Sequence, residues 1–152
     1  MNDEEVALLV AALEAMAHRP LCTIQGMAGR GMGVVASEKL FPGDLIMTEL
    51  PLLVMPGPVF DGEAGASEAW LDRATNRLTC PQRELLHGLT DCRHPGEPTC
   101  LGRLYTNSMY WGEDIAVCPV MARTNHSCRP NAEFLPRIGL GDSCSPSPAS
   151  QE

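Results

Sequence analysis

Between residues 27 and 56 the chain reads MAGRGMGVVASEKLFPGDLIMTELPLLVMP, where glycines, β-branched residues and a Pro42-Gly43 pair take the place of helical periodicity. This pattern predicts strand, turn and strand. Pro42 presets φ for the second position of a turn and Gly43 supplies a positive φ at the third, as a type II turn requires. Pro51 and Pro56 bracket Leu52–Met55 as a further short strand at a sheet edge or beside a bulge, since proline cannot donate to a central ladder.

The flanking sequence has a different texture. Asn2 with Glu5 three residues on forms an N-cap signal, and Val6, Leu9, Val10, Leu13, Met16 and Ala17 follow at helical spacing. A first helix is therefore expected to run to about His18 and to stop at Pro20. After a loop-like stretch from Gly57 to Gly65, Ser67 is expected to cap a helix carrying Trp70, Leu71, Ala74 and Leu78. Thr79-Cys80-Pro81-Gln82 opens another that carries Leu85, Leu86 and Leu89. Pro95, Gly96 and Pro98 break the segment from Asp91 to Gly102. Leu104–Trp111, Ile115–Val117 and Phe134–Leu135 follow. Beyond Pro136 the sequence IGLGDSCSPSPASQE turns to Ser, Pro and Gly and is expected to be disordered, as if a domain were interrupted in mid-fold and continued by unrelated sequence.

With 152 residues, 44% of them apolar and 20% charged, the chain is expected to form one soluble globular core. Its 11 basic residues against 19 acidic ones, a net charge of −8, argue against a nucleic-acid groove and favour a basic peptide partner. No run reaches the roughly 18 apolar residues that span a bilayer. Asp3, Glu4 and Glu5 stand where a signal peptide would carry positive charge. The expectation is an intracellular protein, cytoplasmic or nuclear, with no membrane partner. Seven cysteines without a CxxC pair point to free thiols in a reducing compartment.

Three kinds of chemistry compete for the polar residues. GRGMG, Gly29 to Gly33, invites a nucleotide reading, but a dinucleotide fingerprint needs a helix after the glycines, and Val34-Val35 and then Pro42-Gly43 follow instead. Glu49 lies near the position of a ribose-binding acid, again in the wrong context, and no Gly-Lys-Ser/Thr completes a Walker loop. A tight turn accounts for two of the three glycines, while approach of the backbone to a ligand stays open for the rest. Cys92, His94 and Cys100, with Cys80 or Cys118 as a fourth, could ligate a metal, yet without CxxC spacing free thiols and a surface histidine are the better reading. Cys128 with His126 as its base fails as a nucleophile, because such pairs are recognised by spatial geometry that proximity in sequence does not supply.

The segment NHSCRPN, Asn125 to Asn131, concentrates polar and reactive side chains. Asn and His tolerate unusual φ/ψ values, and Pro130 restricts Arg129 to an extended conformation. Such a loop can aim backbone N–H and C=O groups at a ligand. A polar turn between two strands explains it equally well.

In order along the chain, AGRGMGVVASEKLFPGDLIMTELPLLV (Ala28–Val54) and LYTNSMYWGEDIAVCPVMARTNHSCRPNAEF (Leu104–Phe134) resemble the SET-domain protein lysine methyltransferases, in the branch of the SMYD and fungal SET proteins. NHSCRPN matches that family's most specific motif. The resemblance covers residues 21–136 as a partial SET domain, with 57–103 as a helical and loop insert, after an N-terminal helix over 1–20 and before a tail over 137–152. It implies an α+β chain, mainly β, with short strands and a partial knot. It also implies S-adenosylmethionine as cofactor. By likeness Asn125 would contact the methionine end, the His126 backbone would pair with adenine, Arg30, Gly31 and Met32 would belong to the cofactor-contacting loop, and Asn107 would add a contact. Met32 stands where some relatives have Asn. Cys128 matches a cysteine that shares zinc with a downstream cluster in some members, so zinc is expected in a full-length form only.

The resemblance also has gaps. The family's later segment, with its catalytic tyrosine, has no counterpart after Phe134, and neither Tyr105 nor Tyr110 matches that position, so no catalytic residue is assigned. The expectation is a protein lysine methyltransferase in truncated form with little or no activity, its substrate a lysine-bearing protein such as a histone. The alternatives are a non-catalytic interaction protein or pseudoenzyme that binds basic peptides, and a chain too unstable to persist.

Overall fold

The computed structural model describes residues 20–62 and 64–135, together with Ala7. The helix expected up to His18 lies outside the described residues apart from Ala7, which is helical, and so does the tail over 137–152. Among the described residues the chain is α+β, with five strands and four helices, and more residues are helical than extended.

The glycine-rich stretch folds as a hairpin of β1 (Cys22–Met27) and β2 (Gly31–Ala36), antiparallel with Met27 opposite Gly31 and Cys22 opposite Ala36. Gly29 and Gly31 take φ of 71° and 69° at the turn, a conformation that costs other residues strain. The Pro42-Gly43 turn forms as expected: Gly43 has φ 96°, and the Asp44 N–H donates to the Phe41 carbonyl at 3.1 Å.

The strand expected after that turn is absent. Residues 44–50 carry no ladder, and the segment is held by other means. The Leu21 N–H donates to the Ile46 carbonyl at 2.8 Å, Ile46 and Met47 pack beneath the hairpin, and Glu49 accepts hydrogen bonds from a distant turn.

A second sheet has the order β3 (Leu53–Met55), β5 (Asp114–Val117), β4 (Ser108–Trp111), all antiparallel. β3, between its two prolines, is an edge strand as the prolines demand. β4 and β5 are joined through Gly112, whose φ of 67° suits the first central position of a type II′ turn.

The helices lie between β3 and β4 in sequence: α1 (Gly57–Phe60), α2 (Ala64–Thr75), α3 (Cys80–His87) and α4 (Cys100–Asn107). Thr79 and Gln82 form a reciprocal capping box at the start of α3, and Thr99 caps α4 by accepting from the Gly102 N–H at 2.9 Å. Ser67 does not cap α2. The helix begins at Ala64, which leaves Ser67 fully buried inside it, where its hydroxyl donates to the Val59 carbonyl of α1 at 2.7 Å.

The main core gathers Leu53, Met55 and Val117 from the sheet with Leu71, Leu86, Leu89 and Leu104 from the helical stretch. A smaller cluster of Cys22, Ile24 and Val120 lies under the β1–β2 hairpin with Met32, Val34, Ile46, Met47 and Leu85 around it. Each fully buried Leu or Val contributes roughly 2 kcal/mol relative to exposure. No helix among the described residues is long and apolar enough to cross a membrane.

Candidate functional site

Side chains alternate across the two faces of the hairpin. Cys22, Ile24, Met32 and Val34 share one face and enter the small core. Met27 and Gly33 belong to the other face. Gly33 is buried there, and a Cβ added to it would collide with the Met27 sulfur and the Asn125 amide. Glycine at 33 is thus the space that Asn125 occupies. The Asn125 Nδ2 donates to Met27 Sδ at 3.2 Å, a weak acceptor for an amide.

Asn125 reaches the hairpin because the chain before it is pinned. Residues Met121–Arg123 form a 3₁₀ turn, with the Arg123 N–H donating to the Val120 carbonyl and the Thr124 N–H to the Met121 carbonyl. The Val120 and Met121 N–H groups both donate to the Glu49 carboxylate, at 2.9 and 2.8 Å. Arg123 Nη2 donates to the Gly88 carbonyl at 2.6 Å, which ties the turn to the end of α3. Burial pushes the Glu49 carboxyl above its ordinary range, and the two backbone N–H groups only partly offset this. The Cys118 thiol is pushed up to about 12, first by burial and then by the charge of Glu49.

The loop itself is exposed from His126 to Asn131. The Arg129 N–H donates to Ser127 Oγ at 3.2 Å, and Cys128 Sγ lies 3.4 Å from His126 Nε2. No described non-glycine residue has a positive φ, so the loop is shaped without the unusual backbone angles that Asn and His tolerate.

The candidate residues separate into three groups. Asn125 and the hairpin carrying Arg30, Gly31 and Met32 come together, with Arg30 and Gly31 exposed at the turn. The Met32 side chain points away from Asn125, into the small core, which leaves only its backbone on offer. Asn107 is committed elsewhere: its Nδ2 donates to the Thr90 and Arg103 carbonyls, both at 2.7 Å, and no hydrogen bond links it to the hairpin or to Asn125.

Asp91 was missed by sequence reasoning, although Asp ahead of a Pro/Gly-rich loop is a turn signal. It is buried, accepts from the N–H groups of Arg93, His94 and Thr99 at 2.8, 3.0 and 2.9 Å, and faces His94 Nδ1 at 3.2 Å. A Cβ at Gly102 would collide with it, so Gly102 makes room for the carboxylate inside α4. Burial opposes its ionisation, but the three N–H groups and the His94 ring together hold the carboxyl well below its usual range. The segment expected to be irregular is thus organised around one side chain.

Among the described residues no group of three or more His, Cys, Asp or Glu side chains is arranged to hold a metal ion. Cys128 and His126 offer two donors, short of the four that structural zinc takes, so the described residues do not fit zinc at Cys128. Tyr105 packs against the Phe60 ring at 4.9 Å with the Arg93 guanidinium 4.3 Å above it, and Tyr110 is exposed on β4. A shallow depression of about 260 Å³ lies on α2, lined by Trp70, Arg73, Ala74 and Arg77. Comparison with protein-family models, with curated proteins and with solved structures gave no match to this chain.

Proposed function

We propose that the chain carries the cofactor-binding part of a SET-type protein lysine methyltransferase site and takes S-adenosylmethionine between the β1–β2 hairpin and the Asn125–His126 loop. The observation that supports this most is the meeting of Asn125 with Met27 across 98 residues of sequence, over a glycine whose Cβ would block it. The two segments that carry the family resemblance are the two that converge.

Within this reading Asn125 turns its amide from the weak Met27 sulfur to the amino-acid end of the cofactor, and the exposed His126 backbone pairs with adenine. Arg30 and Gly31 offer backbone and charge from the turn, and Met32 contributes through its backbone alone. Asn107 supports α4 and the Thr90 carbonyl, and would have to leave both carbonyls to serve the cofactor. The cofactor supplies an electrophilic methyl group on a sulfonium. Alignment of a lysine amine with it and exclusion of water are separate requirements, and no described residue is assigned to them. The lysine-bearing substrate, a histone among the candidates, suits a chain of net charge −8.

Calorimetric titration with S-adenosylmethionine tests the proposal, using the wild type, Asn125→Ala and Gly33→Ala. Binding by the wild type that weakens about tenfold or more, some 1.4 kcal/mol, in both variants is the expected result. A wild-type chain that is folded by circular dichroism and binds no cofactor rejects it. The same net charge favours a second reading, a non-catalytic protein that binds basic peptides. A Lys-rich peptide that binds with salt-sensitive affinity while the cofactor does not would select that reading.

A further inference from the structure

Helix α2 turns Ser67 and Leu71 inward, and Trp70 and Ala74 pack at the margin of the main core. Arg73 and Arg77 are exposed, four residues apart and so on one side of the helix. Past Thr75 the helical path is prolonged by the Asn76 N–H, which donates to the Asp72 carbonyl at 3.2 Å, and the Arg77 N–H, which donates to the Ala74 carbonyl at 3.1 Å. These bonds keep Arg77 in line with Arg73. Trp70, Arg73, Ala74 and Arg77 together line the depression of about 260 Å³, where the single methyl of Ala74 leaves room between three long side chains.

Among the described residues neither guanidinium has a hydrogen bond or an ion pair. Residues 73–83 hold three arginines and no acidic residue, in a chain with 11 basic residues to 19 acidic. The third of them, Arg83, donates to Cys80 Sγ. One cation near a helix C-terminus offsets the macrodipole, and Arg73 suffices for that. A second arginine one turn on, beside an indole, adds a feature the helix itself does not require.

We propose that this depression is a docking site for a phosphotyrosine side chain of a partner peptide, with the phosphate between Arg73 and Arg77 and the ring against Trp70. Guanidinium groups bind phosphate oxygens through paired, charge-assisted hydrogen bonds. An indole offers a broad apolar surface on which an aromatic ring packs. A phosphotyrosine carries both complementary parts on one side chain. The volume is below the roughly 300–1,000 Å³ of pockets that enclose a drug-sized ligand, so it suits one side chain rather than a nucleotide. The net charge of −8 repels a polyanion such as nucleic acid or an anionic membrane, whereas a short peptide brings a single dianion to the pair. None of the lining residues belongs to the β1–β2 hairpin or to the Asn125 loop, so the proposal is independent of whether that region takes a cofactor.

The probe is a fluorescently labelled, otherwise uncharged peptide with one central phosphotyrosine, titrated against the whole chain at physiological salt and read by anisotropy. The same peptide with phosphoserine or with unmodified tyrosine, and inorganic phosphate as a competitor, complete the set. The phosphotyrosine peptide should bind about tenfold or more tightly than either other peptide. Arg73→Gln and Arg77→Gln should each weaken it about tenfold, and Arg73→Lys should restore only part of the loss, because a lysine keeps the charge without the planar fork. Both arginines are exposed, so these variants keep the fold, which circular dichroism checks. The ring contact is tested from the peptide side because Trp70 packs against the core. Equal binding of the phosphorylated and unmodified tyrosine peptides overturns the proposal, as does unchanged affinity in the two glutamine variants. A phosphoserine peptide that binds as tightly, or inorganic phosphate that competes at the concentration of the peptide, reduces the site to a simple anion site and overturns it too. Tighter binding of single-stranded DNA or of phosphatidylserine vesicles than of the phosphotyrosine peptide overturns it in favour of those partners.

Discussion

At Glu49 two effects oppose each other. Burial disfavours the carboxylate, while the Val120 and Met121 N–H groups favour it, and burial prevails. The folded chain therefore keeps the Glu49 proton to higher pH than the unfolded chain, whose carboxyl titrates near 4.5. Between 4.5 and the raised folded value the folded state binds more protons, so the Glu49 contribution to stability falls as pH rises through that window. Denaturant titrations of wild type and Glu49→Gln across pH 4 to 8 should show this slope in the first and its loss in the second. Glu49→Ala should cost about 2 kcal/mol near pH 4, because two partly buried N–H groups lose their acceptor, and the cost should shrink as pH rises through the same window. Glu49 thus holds the turn that precedes Asn125.

The Asp91 loop is a case in which an element without regular structure is specified as firmly as a helix. Its backbone N–H groups at Arg93, His94 and Thr99 point inward to one carboxylate, in place of the ladder that Pro95 and Pro98 prevent. The Asp91 pKa is lowered, so the stability it confers is fully present above the ordinary 3.8 and is lost as pH falls below that value toward the depressed folded one. Asp91→Ala should lower the melting temperature and open the Arg93, His94 and Thr99 amides to hydrogen exchange, while amides of the β1–β2 hairpin keep their protection. Equal loss of protection in the hairpin would mean that the loop and the hairpin unfold as one unit. The irregularity of this segment was legible from its prolines and glycines. Its anchor was not, because an Asp in a loop is written the same way whether it faces water or three backbone N–H groups and an imidazole.

For the whole molecule, stability is concentrated where the helical stretch covers the β3–β5 pair. Leu104 is fully buried among Leu53, Leu71, Leu86 and Val117, and Leu104→Ala should cost about 2–5 kcal/mol, read as a lower denaturant midpoint. Leu50 is 90% exposed, and Leu50→Ala should stay within about 0.5 kcal/mol of wild type. Exposed Phe41, Leu45, Leu50, Tyr110, Phe134 and Leu135 contribute little to either core as described, although they lie within or beside segments that read as strand-like, and Phe134–Leu135 forms no strand. Apolar character alone did not say which of these side chains would be inside.

The features that the sequence by itself determined are those governed by a few consecutive residues. They are the glycine-rich β1–β2 hairpin, the Phe41–Asp44 turn, the Thr79 capping box and the edge position of β3 between two prolines. Each depends on φ preferences or on side chain to backbone bonds over three or four positions, and those energies belong to the residues themselves. Tertiary structure alone decided that Ser67 would be buried, that residues 44–50 would lack a ladder, that Gly33 would admit Asn125, and that Glu49 would hold the turn before the loop. Those outcomes rest on contacts between residues tens of positions apart. Many apolar partners could satisfy such contacts almost equally well, and packing the whole chain selects among them.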